Sequence, residues 1–350
     1  MRIIRSFLLP VLAASFGGSI LLGAAPANKI NVVATMPNLA SIAREVGGDR
    51  VDVSAIASGL QDAHFVDPKP SFMVKLRSAD LLLVNGLDLE IGWIPPLTQG
   101  ARNARILPGA EDYVDCSARV GVIEVPTGNL SRAEGDVHPY GNPHYLTDPL
   151  NAEIVAAQIA EALARKDPAG AGDYERRRAD FTRRLHAAIF GAELTDLVGG
   201  SKLSSLALTD ALDSYLQGTV VEGKPLASRL GGWLGRLHPY VGAKVVTYHK
   251  DYSYFVRRFG LVVVEYVEPK PGIQPSAKHL AELTDRLSQG DVKVIITRPY
   301  VEHRSTDLLA EKAKIPVLSL PLEVGGDPAA TDYFKLFDLL TSQIAAAAGR

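Results

Sequence analysis

The chain has 350 residues, 47% of them hydrophobic and 22% charged, with 31 Gly, 22 Pro and a formal net charge of −2. That ordinary globular mixture excludes a disordered chain, a collagen-like repeat and a multi-span membrane protein. Its 37 basic and 39 acidic residues are interspersed, with no basic block beyond Arg176-Arg177-Arg178, so a nucleic-acid partner is excluded as well.

The first residues read as an export signal. Met1-Arg2-Ile3-Ile4-Arg5 is a short positive segment, Ser6 to Gly23 is apolar or small throughout, and Ala25-Pro26-Ala27 is a small-x-small step before Asn28. Residues 1–27 are therefore set apart as a cleaved signal peptide. Cys116 is the single cysteine, so the exported chain has no intramolecular disulfide, and no cysteine near the cleavage step offers a lipid anchor. The expected compartment is the periplasm.

Hydrophobic runs then alternate with helical patterns, as in an α/β fold with mostly parallel strands. In the first half, strands are predicted at Lys29–Thr35, Val51–Ala57, Leu81–Val84 and Arg105–Leu107, with helices at Leu39–Val46 and Pro70–Ala79. The second half repeats the plan. Strands are predicted at Ala243–Tyr248, Leu261–Tyr266, Val292–Thr297 and Pro316–Leu320, with helices at Tyr252–Phe259, Ser276–Leu287 and Ser305–Lys314. Even the linkers correspond: Asp67-Pro68-Lys69-Pro70-Ser71 and Glu268-Pro269-Lys270-Pro271-Gly272. Two similar lobes follow from this repetition.

Between them, Asn151–Arg165 has helical spacing, and a second pattern runs from Ala169 to Val198 as one backbone helix of roughly 30 residues, about 45 Å long. The expected organisation is an N-terminal lobe over 28–166, a linking helix over 167–198 and a C-terminal lobe over 199–350. Glycines break up residues 199–242, which read as a loop-rich insertion or peripheral hairpin.

Eight histidines are present: His64, His138, His144, His186, His238, His249, His279 and His303. His186 and His279 sit inside helical patterns and His303 near a helix start, where a histidine is ordinarily a satisfied or surface side chain; His238, in the insertion, is read the same way. His64 follows the second strand of the first lobe, His249 follows the first strand of the second, and His144 lies in a proline-bounded loop leading into a helix. Ligands of open α/β sheets gather at the carboxyl ends of strands. Three imidazoles meeting there would suit Zn²⁺ above other divalent ions, and Asp62, Asp67, Asp148 and Asp251 are near enough in sequence to orient them. Spacing leaves a metal site and three unrelated histidines both open, since no two of the three share one short motif.

The segments QDAHFVDPKPS (61–71), GNPHYLTDPLNA (141–152) and VVTYHKDYSYFVRRFGL (245–261) resemble the three histidine-bearing signatures of the metal-binding substrate-binding proteins of ABC importers, in the cluster with a single backbone helix. The resemblance extends in order along essentially the whole mature chain. It implies two α/β lobes joined by one long helix, a transported Zn²⁺ or Mn²⁺ held between them, and His64, His144 and His249 as its ligands. Histidine at the third position is the zinc-type choice. It further implies an inner-membrane permease with a cytoplasmic ATPase as partner, the carrier acting as a monomer.

The family's usual carboxylate after the last strand has no Asp counterpart in Leu320-Pro321-Leu322-Glu323-Val324-Gly325-Gly326; Glu323 is the candidate in its place, with water or another group as the alternative. The long His-rich loop of many zinc-type members is reduced to Val125–Gly141, where His138 is either an auxiliary capture ligand or a surface residue. Two other readings fit the same residues. One is a manganese- or iron-type carrier. The other is an exported zinc hydrolase, in which three histidines leave a position open for an activated water and Glu323 is the base, although no HExxH helix is present.

Overall fold

The computed structural model describes residues 29–128, 138–270 and 272–349; the expected signal peptide lies outside them. In the first lobe β1 (Ile30–Ala34), β2 (Val51–Ala55), β3 (Leu81–Val84) and β4 (Tyr113–Asp115) form a parallel sheet in the order β2-β1-β3-β4. The LLLV run of β3 is buried along its whole length, as expected of a strand covered on both faces. Three helices accompany the sheet: α1 (Pro37–Gly47), α2 (Pro70–Arg77) and α3 (Ile94–Ala101). α1 and α2 open on proline, whose missing N–H is not needed in a first turn. α1 ends at Gly48, where φ is +54°.

The fourth strand is not where the hydrophobic pattern puts it. Ala104–Ile106 is a single 3₁₀ turn, because the Asn103 side chain accepts a hydrogen bond from the Arg105 N–H and donates to the Leu76 and Ala79 carbonyls. The strand forms instead at Tyr113–Asp115, too short and mixed to carry a periodic signal.

The connection between lobes consists of α4 (Pro149–Lys166) and α5 (Ala171–Phe190), packed on each other. The expected single helix to Val198 is broken. α5 stops after 20 residues, about 30 Å, because Gly191 takes φ +88° and its Cα lies against the Gly231 backbone, where an added Cβ would come within 2.8 Å of the Gly231 Cα. Gly231 N–H also bonds the last carbonyl of α5, that of Phe190, at 2.9 Å.

The chain then folds into α6 (Ala192–Val198), α7 (Gly200–Leu208), α8 (Leu212–Gly218), the two-residue strands β5 (Val220–Val221) and β6 (Lys224–Pro225), and α9 (Gly232–Leu237). The insertion is thus largely helical, its glycines separating short helices instead of marking loops. The expected hairpin is the β5–β6 turn, with Glu222 and Gly223 both at positive φ.

The second lobe repeats the first. β7 (Lys244–Thr247), α10 (Ser253–Phe259), β8 (Val262–Tyr266), α11 (Ala277–Ser288), β9 (Val292–Thr297), α12 (Arg304–Ala313) and β10 (Val317–Ser319) give a parallel sheet in the order β10-β9-β7-β8. Counted within each lobe, both sheets run second, first, third, fourth. α13 (Tyr333–Ala348) closes the chain and crosses back to the first lobe, where Tyr333 N–H bonds the Ser41 hydroxyl at 3.1 Å and Tyr333 OH the Leu146 carbonyl at 2.7 Å.

One apolar core runs through the molecule, from Val32 and Leu83 through Ile159 and Phe181 to Phe255 and Phe337. A smaller cluster around Leu283, Ile295 and Leu309 lies under α11 and α12. Among the described residues, no helix is long and apolar enough to cross a membrane.

A buried ion pair reinforces the junction. Asp148 caps α4 by accepting from Leu150 N–H at 3.0 Å, and the Arg258 guanidinium of α10 grips the same carboxylate with Nε at 3.0 Å and Nη2 at 2.8 Å. Removing one partner strands the other charge in the interior. Arg258→Met should therefore lower the unfolding free energy by about 3–5 kcal/mol, measured by denaturant titration; a loss below ~1 kcal/mol would mean that solvent already stabilises Asp148.

Candidate metal centre

The carboxyl ends of the two parallel sheets supply the histidines. His64 stands on the loop after β2, His144 on the loop leading into α4, and His249 directly after β7. One ring nitrogen from each lies within 4.8 Å of the other two. Ring centroids are 5.3 Å apart for His64–His144, 5.7 Å for His64–His249 and 5.8 Å for His144–His249. Two nitrogens on a tetrahedral zinc with ~2.0–2.1 Å bonds are roughly 3.4 Å apart, so drawing the rings together by about an ångström gives ligand spacing.

Each loop is held from behind. Trp93 Nε1–H bonds the Ala63 carbonyl at 2.8 Å and fixes the chain before His64. Asn85, at the end of β3, donates to the Pro143 carbonyl at 3.0 Å, next to His144. Asn142 joins the lobes: its Nδ2 donates to the Lys250 carbonyl at 2.7 Å, and its own carbonyl accepts from Tyr254 OH at 2.9 Å. The His144 and His249 loops are thereby tied to each other.

Carboxylates fix two of the tautomers. Asp62 Oδ1 lies 2.7 Å from His64 Nδ1, and Glu268 Oε2 lies 2.8 Å from His249 Nδ1. An ionised carboxylate only accepts, so the proton of each neutral ring sits on Nδ1 and the lone pair on Nε2. His144 Nε2 is buried and has no partner among the described residues. Burial, and then repulsion from the neighbouring imidazoles and Arg298, holds His144 well below the ordinary histidine range. Burial alone would raise the Asp62 carboxyl, but the His64 ring and then Arg298 outweigh it and hold Asp62 well below the usual carboxylate value.

His138 is drawn into the cluster. Its Nε2 is 3.0 Å from His64 Nε2, and burial followed by repulsion from the His64 and His249 rings pushes it down to about 3. Glu323 sits beside His144 along a small cavity, with Oε2 accepting from Asn38 N–H at 2.8 Å near the start of α1. It does not join the three-nitrogen group.

Of the acidic residues near the histidines in sequence, Asp62 reaches a ring. Asp148 caps α4, and Asp251 faces Arg298 at 3.2 Å. The partner of His249 is Glu268, which sequence proximity misses; its signal was the Glu268–Gly272 linker that mirrors Asp67–Ser71. Arg298 and Tyr300, just after β9, also belong to the site wall and had no sequence signal. His186 pairs with Glu153 at 3.0 Å and His279 with the Val267 carbonyl at 3.1 Å, both satisfied by structure.

The model of the family described as zinc-uptake complex component A, periplasmic, matches residues 32–191 and 236–347. The unmatched interval spans most of the helical insertion. The manganese ABC transporter substrate-binding lipoprotein PsaA of Streptococcus anginosus is 25% identical over 292 residues, covering 83% of this chain and 78% of its own. The metal ABC transporter substrate-binding lipoprotein ScbA of Streptococcus cristatus is 32% identical over 163 residues, 46% of this chain and 49% of ScbA.

Among solved structures, a crystal structure of ZnuA aligns with TM-score 0.66 at 20% identity, over 92% of this chain and 100% of that one. The Mn-bound periplasmic metal binding protein of Candidatus Liberibacter asiaticus aligns with TM-score 0.62 at 18% identity, over 91% and 100%. These structural likenesses establish the two-lobed α/β fold.

Burial pushes the Glu323 carboxyl up from 4.5 to about 8, against the pull of the Asn38 N–H. A raised folded-state pKa contributes stability that is full below about 4.5 and is lost as pH rises through about 8. Glu323→Gln removes that titration, so the variant should gain stability relative to wild type between about pH 5 and pH 9. Denaturant midpoints that run parallel across the range would contradict this burial.

Proposed function

The chain belongs to the periplasmic zinc-uptake component A family, and from that membership we propose that it captures Zn²⁺ in the periplasm and presents it to an inner-membrane ABC permease. Proteins of this kind are the metal-binding, substrate-binding components of ABC transporters, working with a membrane permease and an ATPase. The chain is accordingly not an enzyme, and its chemistry is coordination without reaction.

The observation that carries the zinc assignment is the donor set: three imidazole nitrogens within 4.8 Å, two of them with the proton drawn to the far side of the ring by a carboxylate. Neutral imidazole suits Zn²⁺, whereas Mn²⁺ favours oxygen. His64, His144 and His249 are the ligands in this reading. Asp62 and Glu268 raise ring basicity and fix orientation, a role whose loss typically weakens metal binding about 10–100-fold.

His138 acts as an auxiliary capture ligand, giving up its hydrogen bond to His64 as the ion arrives. Glu323, engaged at the start of α1, lies outside the primary set, so Glu323→Gln should leave zinc affinity within a few-fold; a larger loss would make Glu323 a ligand. The streptococcal relatives PsaA are named for manganese, which makes Mn²⁺ the competitor to test. Those relatives are also named lipoproteins.

The test is a zinc titration of the chelator-stripped protein with Mn²⁺ as competitor. One tight zinc per chain that excess Mn²⁺ does not displace is the expected result; displacement would reassign the cargo. His249→Ala should weaken zinc binding by about two orders of magnitude or more while leaving the fold intact by circular dichroism. Unchanged affinity would remove His249 from the site.

A further inference from the structure

Arg298 follows β9 directly and is 3% exposed. Its guanidinium lies between two rings, 5.1 Å from the Tyr300 centroid and 5.8 Å from that of Tyr248. On one side Nη1 is 3.6 Å from Asp62 Oδ2, and on the other Nε is 3.2 Å from Asp251 Oδ2. Asp62 stands two residues before His64 in the first lobe. Asp251 stands two residues after His249 in the second. A single buried cation therefore lies against both ligand-bearing loops.

Asp251 is the unusual member. It is 0% exposed, and neither of its carboxylate oxygens has a well-aimed hydrogen bond from another described residue. Its compensation comes from Arg298, through a contact whose Nε–H is not aimed well enough to make a hydrogen bond. A carboxylate so sparsely bonded has acceptor sites to spare, and it sits on the same short loop as His249. A divalent cation held by that histidine would offer it a second countercharge besides Arg298.

Resting on the three-histidine reading above, we propose that Arg298 is a specificity-determining positioning residue. By pairing with Asp251 it keeps that carboxylate out of the coordination sphere, so the ion meets nitrogen donors and the site favours zinc over manganese. The Arg298–Asp62 contact serves the same end, since Asp62 holds His64 with its Nε2 lone pair turned to the ion.

The experiment compares the full mature chain with Arg298→Met, Arg298→Lys, Asp251→Asn and the double variant Arg298→Met/Asp251→Asn. Zinc and manganese affinities are measured by competition, and the visible spectrum of the Co²⁺-loaded protein reports coordination number. In Arg298→Met the ratio of zinc to manganese affinity should fall by about tenfold or more as an oxygen donor enters, and the Co²⁺ bands should weaken as coordination rises above four. Adding Asp251→Asn should restore the wild-type ratio and spectrum, and Arg298→Lys should stay close to wild type.

Equal loss of both metals in Arg298→Met, or a changed ratio that persists in the double variant, would overturn the proposal. Should Arg298→Met not fold, Asp251→Asn alone decides: zinc affinity and Co²⁺ spectrum close to wild type support a withheld carboxylate, and a large loss would show that Asp251 already ligates. A wild-type chain that binds no zinc would defeat the functional reading itself, which keeps the two failures apart.

Discussion

Imidazoles crowded into one small space must either share protons or have them placed elsewhere, and the rest of the site follows from that constraint. Asp62 and Glu268 take the Nδ1 protons of His64 and His249 to the outside of the cluster, leaving Nε2 lone pairs facing inward. His144 contributes a buried nitrogen with no partner among the described residues. Lone pairs gathered without protons make a poor resting arrangement and a good seat for a cation. His138 adds a fourth imidazole to the same crowd, its Nε2 3.0 Å from that of His64.

Holding such a cluster across two lobes demands a stiff frame. α4 and α5 connect the lobes, but they are not alone. α13 returns to α1 and the His144 region, Arg258 grips the cap of α4, and Asn142 bonds across to the loop of His249. With a continuous apolar core beneath these ties, a wide hinge opening would break buried hydrogen bonds and an ion pair together. Small shifts of the loops that carry the histidines cost far less, and an ångström is the scale that zinc coordination by all three would require.

Much of this was legible in the sequence, for physical reasons that also set the limits. Strands buried on both faces, such as Leu81–Val84 and Val292–Thr297, announce themselves as apolar runs, and the repeated order of runs in the two halves is the repeated order of the sheets. Histidines at strand ends stood out because parallel sheets bring those ends together.

The misses have one character: they depend on partners distant in sequence. The end of α5 at Phe190 reflects the Gly191–Gly231 approach, and the turn at Ala104–Ile106 reflects what Asn103 bonds. Glu268 and Arg298 occupy no periodic pattern; they matter for the rings and carboxylates that the fold brings to them. His138, in a loop with little pattern, could not be told from a surface residue until its distance to His64 was known.

X-ray absorption at the zinc edge of the loaded protein reads the donor set itself. The expected spectrum shows a nearest shell dominated by nitrogen at about 2.0–2.1 Å, with the outer-shell scattering of at least three imidazoles, and loss of one imidazole in each of His64→Ala, His144→Ala and His249→Ala. A shell dominated by oxygen, or one unchanged by those substitutions, would contradict it.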